Sequence, residues 1–143
     1  MRAPKRPVPT RSMAAAYCLE EREEGALRLL LVRRRPVGLL GGLWELPGTE
    51  LAPQEPPARA LEQLLRDDLG LEAVVGERLG AVQHAYSHFR VQVGLYRCRA
   101  AGRPRVQGQW DGARFVTAVE LADLGLTGVT AKALARLGWP PAS

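Results

Sequence analysis

A chain of 143 residues, 46% of them hydrophobic, is long enough for one domain with a buried core. No apolar run reaches the ~18 residues that a membrane-spanning helix needs, and the basic, proline-rich start is followed by no apolar leader; a cytoplasmic protein with no membrane partner is expected. The net charge of +5 lies wholly in residues 1–35, which hold nine basic and four acidic side chains, while the remainder balances.

In chain order, residues 1–12 open with MRAPKRPVPTR, which has nothing to bury and reads as an extended basic linker or tail; residues 13–139 read as the domain. Residues 13–19 are apolar and suit a central strand. Gly25, after the charged EEREE run, marks a hairpin into a second strand at residues 26–32. Arg33, Arg34 and Arg35 follow, and with Lys5 and Arg6 of the tail they are the candidate contacts to a phosphate-rich partner. The alternative is a solvated tail plus a loop of surface arginines. Residues 38–48, GLLGGLWELPG, pack four glycines and a proline around one apolar-aromatic core, where Leu43, Trp44 and Leu46 anchor a short strand.

Leu61, Leu64, Leu65 and Leu69 then fall on one face of a helix that Pro56 and Pro57 begin and Gly70 ends. Strands are expected at Val74 and Val75, at residues 79–83 and at residues 89–98, the last alternating Phe89, Val91, Val93 and Leu95 with polar residues or glycine. Residues 99–112 read as a loop with a short paired segment at 105–107. Phe115 and Val116 resume a strand, residues 119–124 form a short helix, and residues 130–137 form a closing helix stopped by Gly138 and Pro140. Cys18 and Cys98, far apart in apolar strand-like stretches, are expected as buried reduced thiols. The whole is an α+β fold, a mixed sheet sandwiched between helices.

GLLGGLWELPG and the later HAYSH, residues 84–88, resemble the Nudix fold, and within it the C-terminal domain of the A/G-specific adenine DNA glycosylases. The resemblance spans roughly residues 7 to 137. It implies a DNA-repair module, joined to a separate helical catalytic domain, that helps the enzyme recognise 8-oxoguanine opposite the adenine it removes. It also implies that the glycosylase carboxylates and iron–sulfur cysteines belong to that other domain, so no cofactor is expected in this segment; four cysteines for a cluster are absent here. A proline-rich basic connector precedes the domain in that family, which makes this chain a fragment or a stand-alone relative. The implied partners are DNA containing 8-oxoguanine and a glycosylase catalytic domain in the same or another chain, with the module itself a monomer.

A working Nudix box resembles Gly, five residues, Glu, seven residues, then Arg-Glu-apolar-any-Glu-Glu-any-Gly-apolar. Aligned on Asp67, Asp68, Gly70 and Leu71, this chain has Thr49 for the first glycine, Glu55 for the first glutamate, Gln63 for the arginine, Leu64 for the next glutamate, and Asp67 and Asp68 for the last pair. Magnesium on a diphosphate needs carboxylate oxygens in near-octahedral array, and Leu64 removes one ligand while aspartate is a methylene shorter than glutamate. The box thus reads as scaffold retained and catalyst lost. The alternative is a metal-dependent hydrolase of a nucleoside diphosphate derivative such as 8-oxo-dGTP, with magnesium on Glu55, Asp67 and Asp68.

Both histidines lie in HAYSH. On a helix, His84 and His88 could share a zinc ion, but Val82, Phe89, Val91 and Val93 around them are strand-like and no cysteine is near. A hairpin corner in which Tyr86 packs and the histidines satisfy backbone groups is the plain reading. The resemblance adds a role: Tyr86, Ser87 and His88 match the loop placed against the oxidised base. Oxidation at C8 turns guanine N7 from an acceptor into an N–H donor and adds a carbonyl. A serine hydroxyl can accept from the one or donate to the other, while an aromatic ring stacks or wedges and His88 orients the loop or touches phosphate.

Overall fold

The computed structural model describes residues 8–21, 25 and 27–140. Lys5 and Arg6 lie outside the described residues. The chain runs β1 (Thr10–Glu21), β2 (Leu27–Arg34), β3 (Trp44–Glu45), β4 (Gly48–Glu50), α1 (Pro57–Leu69), β5 (Glu72–Ala85), β6 (Arg90–Ala101), β7 (Trp110–Val116), α2 (Ala118–Leu121) and α3 (Gly128–Leu137). Among the described residues no helix is long and apolar enough to cross a membrane.

The central strand is β1. Along one edge it pairs in parallel with β6, from Thr10 opposite Arg90 to Cys18 opposite Cys98. Along the other it pairs antiparallel with β4 near its start and with β2 near its end. The sheet order is β3-β2-β1-β6-β5, with β7 on β2. Because successive strand residues point to opposite faces, β1 feeds two cores. Ala14, Ala16 and Cys18 meet Leu61, Leu65 and Leu69 of α1, with Trp110, on one face. Ala15 and Tyr17 meet Leu29, Leu31 and the Ala133 and Leu134 of α3 on the other. The expected sandwich of a mixed sheet between helices is what forms.

Several boundaries differ from the sequence reading, each for a local reason. β1 begins at Thr10, so residues 10–12, read as tail, are hydrogen-bonded strand. The two strands expected between residues 74 and 83 are one, β5, whose register slips between Val75 and Gly80; glycine there marks a bulge and not a break. Residues 105–107 do not pair as a strand. The Arg105 N–H donates to the Leu69 carbonyl (2.8 Å) and the Gln107 N–H to that of Asp68 (2.9 Å), satisfying carbonyls that the end of α1 leaves without helical partners. Gly70, left-handed at φ 63°, closes that end as expected. β7 starts at Trp110, ahead of the expected Phe115. α2 starts at Ala118 because Thr117 and Glu120 cap each other, and it ends at Leu121, after which the Asp123 and Leu124 N–H groups bond back three residues to Glu120 and Leu121; α3 starts earlier because the Thr127 hydroxyl accepts from the Thr130 N–H.

Cys18 and Cys98 are buried free thiols, as expected, but the fold sets them side by side on paired strands. The hydrogen bond to Cys98, and then burial, push the Cys18 thiol well above its ordinary value.

Candidate functional site

The β5–β6 hairpin turns at HAYSH. His84 and Ala85 end β5, and the Tyr86 N–H donates to the Phe89 carbonyl (2.8 Å), which closes a short tip. Both aromatic residues of the tip fold back toward the sheet. The Tyr86 ring lies 4.8 Å from that of His84 and 4.9 Å from that of Phe89, and the Arg11 guanidinium sits 4.3 Å above Phe89. Burial raises the Tyr86 hydroxyl pKa, an effect that Arg34 opposes and Glu45 reinforces. Tyr86 is therefore half-buried among these rings, where it lines a cleft. Ser87 and His88 are exposed, as is Ala85, and neither polar side chain has a hydrogen-bond partner among the described residues.

The histidines do not satisfy backbone groups, contrary to the plain reading above. His84 Nδ1 is buried without a hydrogen-bond partner, and burial, followed by Lys132, lowers the His84 pKa. Since His84 stands on a strand and His88 at the tip, they share no helical face. Among the described residues, no three His, Cys, Asp or Glu side chains converge where a metal could be held.

The carboxylates named for the magnesium alternative have separate surroundings. Glu55 Oε1 accepts the Ala52 N–H (2.9 Å) and so closes its own turn. Asp68 accepts from Gln109 Nε2 (3.4 Å) and lies against Gly108, whereas Asp67 and Gln63 face solvent. Leu64 packs on the apolar cluster under α1. Among the described residues Glu55, Asp67 and Asp68 form no cluster that could hold a metal ion: Glu55 closes its own turn and Asp68 is held by Gln109.

The arginine cluster is more compensated than its sequence suggests. Arg33 Nε donates to Asp111 Oδ1 at 2.7 Å, and Arg34 Nη1 approaches both Glu45 carboxylate oxygens at 3.4 Å. Arg35 donates to the neutral Gly108 carbonyl at 2.9 Å, and among the described residues it is the member of the trio with no carboxylate partner. Glu45, which the sequence reading did not single out, also accepts from Trp110 Nε1 at 3.0 Å. It lines a cleft of about 290 Å³ with Tyr86, Phe89, Arg34 and Leu40. The signal that would have found it is the acidic residue inside an otherwise apolar GLWEL.

The GLWEL strand itself is clamped from both sides. Trp44 and Arg33 pair across β2 and β3, while the Trp44 N–H donates to the Gly125 carbonyl (2.8 Å) and the Thr127 N–H to the Trp44 carbonyl (3.0 Å). The glycine-rich stretch is thereby fixed at the rim of the cleft.

Comparison with known proteins agrees with this architecture. Residues 16–136 match the family model described as the NUDIX domain. Human adenine DNA glycosylase is 36% identical over 116 residues, which are 78% of this chain and 21% of that protein; the chain thus spans about a fifth of that relative's length. The CTP pyrophosphohydrolase of Escherichia coli strain K12 is 38% identical over 60 residues, 42% of this chain and 44% of that one. Among solved structures, the C-terminal domain of mouse MUTYH, in complex with human PCNA, is 27% identical with a TM-score of 0.71, over 90% of this chain and 87% of that one.

Proposed function

The chain belongs to the NUDIX domain family, and from that premise we propose that it serves as a DNA-repair recognition module, presenting Ser87 and His88 to 8-oxoguanine opposite adenine. The observation that carries this reading is the hairpin tip: a turn anchored by Tyr86 and Phe89 that leaves a hydroxyl and an imidazole exposed and unpartnered. Similarity to adenine DNA glycosylases and to the MUTYH C-terminal domain supports it. In this reading the chain acts as a monomer in the cytoplasm and works with a glycosylase catalytic domain, in its own or another chain. Lys5 and Arg6 ahead of the domain, with Arg35, supply phosphate contacts.

If the Ser87 hydroxyl senses N7–H or the C8 carbonyl, Ser87→Ala costs roughly 0.5–1.5 kcal/mol against 8-oxoguanine, one neutral hydrogen bond, with little loss against guanine. Tyr86→Ala, which unpacks the tip, weakens both duplexes alike. The measurement compares duplexes with 8-oxoguanine or guanine opposite adenine, with a glycosylase catalytic domain present. Equal losses on both duplexes for Ser87→Ala would assign the serine to shaping the turn.

The similarity to a pyrophosphohydrolase favours a second reading, hydrolysis in the cleft. The positions of Glu55 and Leu64 argue against it, and no magnesium-stimulated turnover of 8-oxo-dGTP or dGTP is expected. Turnover abolished by Asp68→Ala would overturn the module reading.

A further inference from the structure

Between β2 and β3 the chain makes a loop, residues 35–42, whose order is unusual for what it displays. Its backbone closes on itself: the Val37 N–H donates to the Arg35 carbonyl (2.7 Å), the Gly41 N–H to that of Gly38 (3.3 Å) and the Gly42 N–H to that of Arg34 (3.0 Å). A Cβ on Gly41 would lie 2.6 Å from the Val37 nitrogen and 2.9 Å from the Pro36 carbonyl carbon, so only glycine lets residues 36 and 37 pack this tightly over it. Arg35 ties the loop outward to Gly108. Yet this closed loop holds Leu39 at 96% exposure and Val37 at 74%, touching nothing that would stabilise the fold.

Two isolated aliphatic side chains make a poor protein-docking patch, since a specific interface buries about 800 Å² on each partner. They suit a narrower task. An aliphatic wedge entering a base step needs one or two side chains, held rigidly, with cations alongside for the phosphates. Arg35, which has no carboxylate partner among the described residues, flanks the wedge. The loop also shares a rim with the hairpin tip, because Arg34, Leu40 and Tyr86 line the same cleft.

We propose that Leu39 and Val37 form an apolar wedge that unstacks a base step of duplex DNA beside the nucleotide met by the hairpin tip. This rests on the DNA-module reading and deepens it by naming a second point of engagement on the same face. The wedge would splay the duplex so that Ser87 reaches a base edge it could not otherwise approach.

The test titrates the full chain, and its Val37→Ala/Leu39→Ala double variant, into a duplex carrying 2-aminopurine at successive steps around 8-oxoguanine. Neither side chain supports the fold, so the variant folds as the parent does. With the parent, 2-aminopurine emission rises at one step as stacking is lost. The double variant loses that rise and binds at least fivefold more weakly, while the slope of log affinity against log salt is unchanged because no phosphate contact is removed. Arg35→Ala, which removes a phosphate contact, lowers the slope by ~0.9. Val74→Ala, exposed on β5 at the opposite end of the sheet order from β3, changes neither. A double variant equal to the parent in affinity and emission removes the wedge and leaves the DNA module standing. A parent that binds no duplex removes both. A double variant that binds DNA normally but dissociates a self-associated parent in sedimentation would show that the loop meets protein, and would also remove the wedge.

Discussion

Replacing Leu65 by alanine is expected to destabilise the domain by about 3–5 kcal/mol, toward the upper end of the usual range for a buried leucine. Leu65 is the middle of three fully buried leucines on α1, and it faces the part of β1 built from Ala14, Ala16 and Cys18. Those small side chains have no length with which to fill the void. Leu30 and Trp110, the larger neighbours, are themselves fully packed. For a domain of this size each kcal/mol moves the melting temperature by roughly 2–4 °C, so a fall on the order of 10 °C should follow. Chemical and thermal unfolding of the two proteins measure it. A loss below ~1 kcal/mol would mean that α1 slides toward the sheet to close the gap, and Leu64→Ala, on the margin of the same cluster, sets the scale of a partly buried leucine.

The second large effect is expected at Glu45. Its carboxylate accepts from the buried Trp110 indole and faces Arg34, so Glu45→Ala strands an indole N–H in a site with almost no solvent. Leaving a buried donor unsatisfied costs about 1–3 kcal/mol. Glu45→Gln keeps an oxygen for the indole and loses only the attraction to Arg34, an exposed pair at 3.4 Å whose contribution is at most about 1 kcal/mol. Glutamine should therefore restore most of what alanine loses. If both variants lose the same amount, the charge of Glu45 and not its hydrogen bond is what Trp110 depends on.

The contrast between these two sites reflects what a sequence can display. Leu61, Leu65 and Leu69 are seen as one face because helix periodicity is local, and Pro56, Pro57 and Gly70 mark both ends of α1 by rules that act within a turn. The tight turn at Tyr86 to Phe89 and its strand-like flanks are local in the same way. What the sequence concealed is all long-range. Asp111 neutralises Arg33 from 78 residues away and Trp110 reaches Glu45 across 65, and nothing in the Arg33, Arg34 and Arg35 run signals either. The apposition of Cys18 and Cys98 follows from parallel pairing, which leaves no turn signature between the two strands. The paired segment expected at residues 105–107 is no strand because its hydrogen bonds go to the end of α1.

The parallel pairing of β1 with β6 also bears on how the molecule is made. Every partner of β1 in that ladder lies 80 residues further along the chain. At a synthesis rate of roughly 5–20 residues per second, the apolar strand that becomes the centre of the sheet waits on the order of 4–16 s for the segment that covers one of its edges. Topologies dominated by such distant pairings fold slowly, because the entropy of closing a long loop is lost before the contacts that reward it exist. The hairpin of β1 with β2 can close early, but the sheet is complete only once the hairpin tip at Ser87 has been made and β6 has run back beside β1. Assembly of the central ladder and appearance of the candidate reading tip are thus one event in the life of the nascent chain.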